Sequence, residues 1–420
     1  LCDRAGIVVW AEIPYITCHM SGGMENTISQ MTELVVQNHH HPSIVCWGLS
    51  NEITAHNGVS EDLIENHRLL NDLCHKLDNT RFTTMAHVFM LDIDEELVKL
   101  PDVPSYNLYY GWYLGELDDN DKFFNDFRKK HPNVAIGFSE YGADANLRFQ
   151  TGSPERGDYT EQYQALYHEH LLKMISQRPY IWASYAWNMF DFGADGRNEG
   201  GEHGINQKGL VSFDRKIKKD AFYIYKAYLS KEPFVHLCGR RYIDRHEEVT
   251  TVKVYSNQKA VSIYKDGILV ETQENDKVFS FKVPISTNHI IEARSGNLID
   301  QIQIRKVEEP NKEYVLEDTQ IINWFEKEEV KAPKGYFSIK DTLGDIRKTP
   351  AGAKLINEFM EKASATRGDV AVGVKRNAAL EKMINESTVE HILRQSGRAI
   401  VEDTVIALSQ ALNKIPKPKL

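Results

Sequence analysis

Two stretches of the sequence, SIVCWGLSNE at residues 43–52 and NVAIGFSEYG at residues 133–142, carry a glutamate at the end of an apolar run. Short apolar runs of this kind are typical of buried strands. Because α/β enzymes place their chemistry at the carboxyl ends of parallel strands, Glu52 and Glu140 predict an acid and a nucleophile. The alternative is that each glutamate caps a helix or forms a surface ion pair.

Residues 7 to 230 alternate six apolar runs with longer helical stretches, which predicts repeated βα units and a parallel sheet. One helical stretch, EDLIENHRLLNDLCHKL at residues 61–77, has apolar residues at helical spacing. A closed barrel of eight strands needs two more strands than these runs supply. The six predicted strands are IVVWAEI (7–13), SIVCWGL (43–49), RFTTMAHV (81–88), VPSYNLYY (103–110), NVAIGFS (133–139) and YIWASYAWNMF (180–190).

The hydrophobic pattern changes after the first 231 residues. Segments that alternate with a period of two predict a small antiparallel β-sandwich at residues 232–307, and Asp266-Gly267 is a hairpin signal within it. At residues 308–420 a charged stretch with proline and glycine precedes segments of helical spacing. The sequence therefore predicts a partial barrel at 1–231, the sandwich, and a linker with a small helical domain.

Composition limits the class of partner. The formal charge of -10 is spread along the chain, which argues against nucleic acids and anionic membranes and favours a neutral or small polar substrate. No apolar run reaches the roughly 18 residues that a membrane-spanning helix needs, so we expect a soluble protein. The five cysteines lack paired spacing, which predicts free, mostly buried thiols. Free thiols slightly favour the cytoplasm, but a signal peptide upstream of Leu1 would change that expectation, so the compartment is left open.

Aromatic residues accompany the two glutamates along the sequence. Sugar rings present C–H faces and hydroxyl edges, so aromatic walls with a few amides and carboxylates suit a carbohydrate. The alternative for each aromatic residue is a place in the barrel core. Asn51 is placed to bond a sugar hydroxyl, and Tyr109 is placed to donate a hydrogen bond to Glu140. The aromatic residues are Trp47, Tyr109, Trp112, Tyr141, Trp187 and Phe192.

Several motifs, taken in order, resemble glycoside hydrolase family 2, most of all its β-galactosidases. The resemblance covers residues 1–245. It implies a (β/α)8 TIM barrel whose first two strands lie before this chain, followed by an immunoglobulin-like sandwich. The motifs are LCDRAGIVVWAEIP (1–14), WGLSNE (47–52), NLYYGWY (107–113), GFSEYGA (137–143) and the long run from WNMFDFGADGRNEGG to KDAFYIYK (187–226).

The resemblance also implies a mechanism. It assigns Glu52 as general acid/base and Glu140 as nucleophile of a retaining exo-β-glycosidase without a cofactor. Retention predicts about 5 to 5.5 Å between the two carboxyl groups, against roughly 6.5 to 9.5 Å for inversion. Ile16 and Ala143 stand where the best-known bacterial lactase has ion-binding residues, so no metal site is predicted. His39, His40 and His41 are interpreted as a helix C-terminus rather than metal ligands.

The substrate branch depends on Asn206 and Lys208. This Asn-x-Lys resembles the carboxylate-reading motif of β-glucuronidases, because an ammonium beside an amide can bind a uronic acid. Its flanks, DGRNEGG and KGLVSFDRKIKKDAF, resemble the β-galactosidases, which we prefer here. A β-glucuronidase, an inactive structural remnant of a truncated chain and a homo-oligomer are left open. The predicted substrate-binding residues are Asn51, Tyr109, Trp112, Trp187, Asn206 and Lys208.

Overall fold

The structure is a computed structural model that describes residues 1–17, 19–20, 22–55, 58–316, 333, 335–365, 378–395 and 408–418. These residues belong to two compact units. The first unit comprises Leu1–Leu108, Val134–Ser139 and Asn323–Leu420, and the second comprises Tyr109–Asn133 and Glu140–Ile322.

Six strands hydrogen bond in chain order into one sheet. The pairs β1–β2, β2–β3 and β3–β4 are parallel, and all six predicted strands are confirmed. Cys46 and Trp47 of β2 point to opposite faces of the sheet and are both fully buried, as expected for a strand covered on both faces. The α/β class and a TIM-barrel-like sheet are therefore confirmed. The strands are β1 (Val9–Glu12), β2 (Ile44–Asn51), β3 (Phe82–Val88), β4 (Val103–Asn107), β5 (Ile136–Tyr141) and β6 (Ile181–Ala186).

Helices follow most of these strands. Ser60 caps α3, since its side chain accepts a hydrogen bond from Leu63 N, and Thr160 caps α5 in the same way through Tyr163 N. Leu63, Leu70 and Cys74 form the buried stripe of α3, which confirms the helix predicted there. The helices of this part are α1 (Cys2–Ala5), α2 (Met24–Asn38), α3 (Glu61–Leu77), α4 (Asp118–Lys130), α5 (Glu161–Ser176) and α6 (Asp220–Leu229).

A two-stranded hairpin lies between β6 and α6. It consists of β7 (Phe192–Glu199) and β8 (Glu202–Asn206), which pair antiparallel. The sequence did not predict it, because DFGADGRNEGGEHG lacks the apolar alternation of a half-buried strand. The hairpin carries Asn206 at its end.

The region after α6 forms two sheets, in the orders β10-β16-β15-β12-β13 and β14-β11-β9. Val254, Ile263 and Phe281 belong to one fully buried apolar cluster formed by strands of both sheets, as in a β-sandwich. The hairpin at Asp266-Gly267 is confirmed, with φ angles of +51° and +80°. The strands are β9 (Val235–Leu237), β10 (Asp244–Arg245), β11 (Val249–Ser256), β12 (Ala260–Lys265), β13 (Ile268–Glu274), β14 (Lys277–Pro284), β15 (Asn288–Ser295) and β16 (Leu298–Lys306).

The sandwich differs from the prediction in one pair of strands. β10 pairs with β16 in parallel, whereas the sequence predicted antiparallel pairing throughout. The two-residue strand β10 is too short to show alternation. It is held by tertiary contacts, since Arg305 Nε donates to Asp244 Oδ1 at 2.6 Å and Arg305 N donates to Ile243 O at 2.7 Å. The immunoglobulin-like topology stays a prediction.

The described C-terminal residues form short helices around a separate apolar cluster that includes Phe337, Ile346 and Leu412. This confirms the helical prediction for the described part of the region. The predicted linker KEEVKAPKGY, at residues 327–336, lies mostly outside the described residues. The helices are α7 (Leu343–Arg347), α8 (Pro350–Ala365), α9 (Ala378–Glu386) and α10 (Val389–Gln395).

Other sequence predictions can be compared with the structure directly. Over the part of the chain that the structure describes, no helix combines the length and apolarity needed to cross a bilayer. α2 ends at Asn38 with His39 as its cap, so the interpretation of the three histidines as a helix end is confirmed. The cysteines Cys2, Cys46, Cys74 and Cys238 are free, and the last three are buried. Cys18 lies outside the described residues.

Candidate active site

Glu52 lies directly after β2, in the first unit. Its backbone N–H donates to Ala86 O in β3 at 2.8 Å, and the N–H of Asn51 donates to Tyr15 O at 2.9 Å. Neighbouring segments thus hold this backbone on both sides. Glu52 has a φ of +47°, in the left-handed region that residues other than glycine adopt only rarely. Backbone outliers of this kind cluster at functional sites.

Asn107, at the end of β4, forms hydrogen bonds with residues at or near the ends of strands β2 and β5. Its Nδ2 donates to Asn51 Oδ1 at 3.0 Å and to Glu52 Oε1 at 3.1 Å, and its Oδ1 accepts from Ser139 Oγ at 2.7 Å. Burial raises the pKa of Glu52 above its ordinary value, and the hydrogen bond from Asn107 opposes that rise. A carboxyl group with a raised pKa retains its proton at higher pH, which suits a general acid.

Glu140 lies in β5 and begins the larger segment of the second unit. Tyr109 Oη donates a hydrogen bond to Glu140 Oε2 at 2.7 Å, and this is the bond that the sequence predicts. The backbone after Glu140 passes close to Trp187, because a Cβ on Gly142 would lie 2.1 Å from Trp187 O. The Trp187 side chain is 36% exposed. An anionic oxygen that accepts from Tyr109 is oriented by that bond, as a nucleophile must be.

Lys208 is a buried lysine that follows β8. Its Nζ donates to Asp144 Oδ2 and, at 2.7 Å, to Tyr113 Oη. Asn206 supports the turn, since its Oδ1 accepts from Lys208 N at 3.1 Å. Trp112 is also buried, and its ring centroid lies 5.8 Å from Lys208 Nζ. Trp112 therefore packs against the Lys208 side chain, with little of its own surface exposed.

Arg197, in β7, brings a second cation to Tyr113. Its Nη2 donates to Tyr113 Oη at 2.7 Å, and its Nη1 lies 3.7 Å from Asp144 Oδ2 and is paired with Glu199. Tyr113 is 39% exposed, whereas Lys208 lies beneath it. The Tyr113 hydroxyl oxygen thus accepts from two cationic donors, and its own proton can be donated to a ligand. This arrangement can bind an anion from the solvent side.

Residues 1–232 match the family described as "Glycosyl hydrolases family 2, TIM barrel domain". This match covers more than half of the chain. The chain belongs to glycoside hydrolase family 2. The resemblance to this family that the sequence shows is thereby confirmed for the family as a whole.

The names of similar proteins help to distinguish the β-glucuronidase branch from the β-galactosidase branch. The chain is 37% identical over 291 residues to a β-glucuronidase from Bacteroides fragilis, covering 66% of this chain and 41% of that protein. The structure of an FMN-binding β-glucuronidase from Faecalibacterium prausnitzii L2-6 superposes with a TM-score of 0.74 and 43% identity, covering 75% of this chain and 50% of that chain. The structure of a protein from Bacteroides fragilis that is provisionally named a β-galactosidase superposes with a TM-score of 0.69 and 35% identity. That match covers 74% of this chain and 48% of the other chain. The chain thus spans half or less of the length of these relatives.

The preference for the β-galactosidase branch is not supported by these similarities. The curated relatives from Bacteroides fragilis, Streptococcus agalactiae and Mus musculus are all named β-glucuronidase. The flanks of Asn206 and Lys208, on which the preference rested, lie in β7, in the turn after β8 and at the start of α6, and their overall likeness to one branch does not show which side chains contact a bound sugar. They could not separate two branches that share the turn.

The structure distributes the predicted site residues over both units. Asn51 and Glu52 lie in the first unit, and the other predicted residues lie in the second. Sequence reasoning missed four residues with contacts to them, although each lies in or directly after one of the quoted motifs. Asn107 and Tyr113 belong to the NLYYGWY motif, Asp144 follows GFSEYGA, and Arg197 belongs to DGRNEGG. The missed residues are Asn107, Tyr113, Asp144 and Arg197.

Two groups of described side chains have the composition of metal ligands, and neither includes the two glutamates. In the buried group Asp220 Oδ1 lies 3.0 Å from His236 Nε2, and Asp220 Oδ2 accepts from Gly239 N at 2.6 Å. In the second group Asp121 pairs with Arg178 at 2.7 Å. The carboxylate oxygens of Asp220 and Asp121 are therefore already engaged within the protein. The groups are Asp220, His236 and Cys238, and Asp118, Asp121 and His170.

Proposed function

We propose that this chain carries the catalytic residues of a retaining β-glucuronidase, which hydrolyses terminal β-D-glucuronides. The observation that carries the proposal is the Tyr113 hydroxyl, which accepts hydrogen bonds from Lys208 and Arg197, each at 2.7 Å. Cationic donors strengthen the hydrogen bond that the hydroxyl itself can donate. A uronic acid differs from a neutral hexose by one carboxylate, and charge-assisted bonds suit that group. The glucuronidase names of the curated relatives support the same substrate.

The two glutamates are proposed to act in turn. Glu140 attacks the anomeric carbon and forms a covalent glycosyl ester, while the bond to the leaving oxygen breaks and Glu52 gives that oxygen its proton. Glu52 then takes a proton from water, which attacks the anomeric carbon and releases Glu140. The raised pKa of Glu52 and the hydrogen bond from Tyr109 to Glu140 support these roles. The separation of about 5 to 5.5 Å between the carboxyl groups stays a prediction.

The remaining predicted residues have more limited parts in the proposal. Asn51 is proposed to bond a sugar hydroxyl, and the exposed face of Trp187 is proposed to pack on the sugar or its leaving group. Trp112 is proposed to support Lys208 from behind, and Asn206 to fix the Lys208 backbone. The division into a barrel at 1–231, an immunoglobulin-like sandwich at 232–307 and a helical region at 308–420 belongs to the same proposal.

A comparison of p-nitrophenyl β-D-glucuronide with the β-D-galactoside tests the proposed function. It should be made on the 420-residue chain and on any longer natural polypeptide that contains it. We expect the glucuronide to be preferred, and Lys208→Met to lower kcat/KM for the glucuronide by about tenfold or more, because a charged hydrogen bond is lost. Lys218→Met, a change of an exposed lysine in the same loop, is the matched control. A preference for the galactoside, or no turnover of either substrate by folded protein, contradicts the proposal.

A further inference from the structure

Lys219 is a fully buried lysine just before α6. Its Nζ donates to Ala145 O at 2.8 Å, to Gln207 O at 2.9 Å and to Asp191 Oδ1 at 2.9 Å. An ammonium group has three N–H donors, so each of them has a protein acceptor. A buried charge persists only with such complete pairing. The proposed reaction chemistry leaves this lysine without a part.

The acceptors of Lys219 belong to the segments that hold Lys208. Gln207 is the residue before Lys208, and its N–H donates to Asp144 Oδ1 at 3.0 Å. Asp144 in turn binds Lys208 Nζ through its other oxygen. Ala145 follows Asp144, and its N–H donates at 3.0 Å to the same Gln207 carbonyl that Lys219 contacts. Lys219 therefore connects the backbone beside Lys208, at Gln207, to the backbone beside Asp144, at Ala145.

Asp191 extends this connection to the other side of the turn. Its Oδ1 accepts from Gly209 N at 2.9 Å as well as from Lys219. The two backbones are in direct contact there, because a Cβ on Gly209 would lie 2.0 Å from Asp191 N. The residues on both sides of Lys208, Gln207 and Gly209, are thus tied to one buried ion pair. The position of the Lys208 backbone depends on that pair.

We propose that Lys219 is a positioning residue for recognition of the sugar carboxylate. It fixes residues 207–209 so that Lys208 Nζ meets Tyr113 and Asp144 at once. This inference rests on the proposed β-glucuronidase function for its substrate, but the contacts that carry it lie behind the binding surface. Loss of Lys219 should weaken binding of an anionic sugar and leave the reacting glutamates unchanged. The effect should therefore fall on KM for a glucuronide rather than on kcat.

Hydrogen exchange measures the positioning role without any need for activity. We expect Lys219→Met to accelerate amide exchange in residues 206–211 by about tenfold or more, since buried charged hydrogen bonds are removed. The matched control is Arg245→Met, another buried cation of the second unit, which donates to Tyr242 O at 3.0 Å and to Thr250 Oγ1 at 2.9 Å. It should leave exchange in residues 206–211 unchanged. Unchanged exchange in folded Lys219→Met would overturn the inference.

Steady-state kinetics separate positioning from a general structural role. Lys219→Met should raise KM for the glucuronide by about tenfold, because the Lys208 contact is misplaced, with kcat and the KM for a neutral β-galactoside unchanged. Equal losses on both substrates would overturn the inference. If Lys219→Met does not fold, Asp191→Asn keeps an acceptor oxygen, removes the charge and should show the same pattern at smaller size. Wild-type protein that turns over no glucuronide contradicts the proposed function, while the exchange result still decides the role of Lys219.

Discussion

Replacement of Asn107 with leucine should raise the pKa of Glu52. Leucine keeps the side-chain volume and excludes water, but it removes the Nδ2 donor that lies 3.1 Å from Glu52 Oε1. That donor opposes the rise in the Glu52 pKa that burial causes. A hydrogen bond to a charged group contributes about 1.5 to 3 kcal/mol, and one pKa unit corresponds to about 1.4 kcal/mol. We therefore expect an increase of about one to two units.

The sign of the effect on activity follows from the acid role. Glu52 must be protonated in the free enzyme, so kcat/KM falls as pH rises through its pKa. Asn107→Leu should move this alkaline limb to higher pH. The limb is measured on a glucuronide, and the pKa is measured directly by NMR of ¹³C-labelled glutamate carboxyls, with Glu52→Gln for assignment. Ser139→Ala, which removes only the donor to Asn107 Oδ1, should shift the pKa less. An unchanged or lowered pKa in folded Asn107→Leu would show that Asn107 does not hold down the pKa of Glu52.

Three further changes have defined outcomes. Burial raises the pKa of Glu12 to about 7 from 4.5, so the folded protein keeps a proton that the unfolded chain releases. Urea titrations should therefore show that the free energy of unfolding of the wild type, relative to that of Glu12→Gln, falls by up to about 3 kcal/mol between pH 4.5 and pH 7; a difference that stays constant over this range would contradict the prediction. Tyr109→Phe should lower kcat for the glucuronide by about tenfold or more, because Glu140 loses a charged hydrogen bond; an unchanged kcat in steady-state assays would show that the bond is dispensable. Ser60→Ala should lower the free energy of unfolding by up to about 1 kcal/mol, as expected for a lost helix cap, and thermal melts that match the wild type would contradict the cap.

Local pattern was sufficient for the six strands of the parallel sheet and for helices such as α3. Runs such as SIVCWGL and RFTTMAHV contain apolar and β-branched residues, which predict buried strands. The structure buries both strands in the sheet. The turn at Asp266-Gly267 could be predicted because both residues tolerate positive φ. The hairpin of β7 and β8 could not, since its residues are polar and glycine-rich. The same limit applies to β10, which tertiary contacts hold in place.

The site was harder to predict because its contacts join distant parts of the sequence. Glu52 and Glu140 were identified from their strands, but Asn107, which donates a hydrogen bond to Glu52, lies 55 residues away from it in sequence. Arg197 and Tyr113 are separated by 84. Periodicity reports only on neighbours within one element, so these pairs had no signal. The preference for the β-galactosidase branch was not supported for a related reason. The local sequence around Lys208 does not show which donors surround that lysine in the fold.

Trapping of the glycosyl ester tests the central claim, that Glu140 is the nucleophile of a retaining β-glucuronidase. The protein is incubated with a 2-fluoro-β-D-glucuronyl fluoride, whose fluorine slows breakdown of the covalent intermediate. It is then digested and mapped by mass spectrometry. We expect one sugar adduct on the peptide that contains Glu140, and none in Glu140→Gln. An adduct on another carboxylate, or no adduct on folded protein, would contradict it.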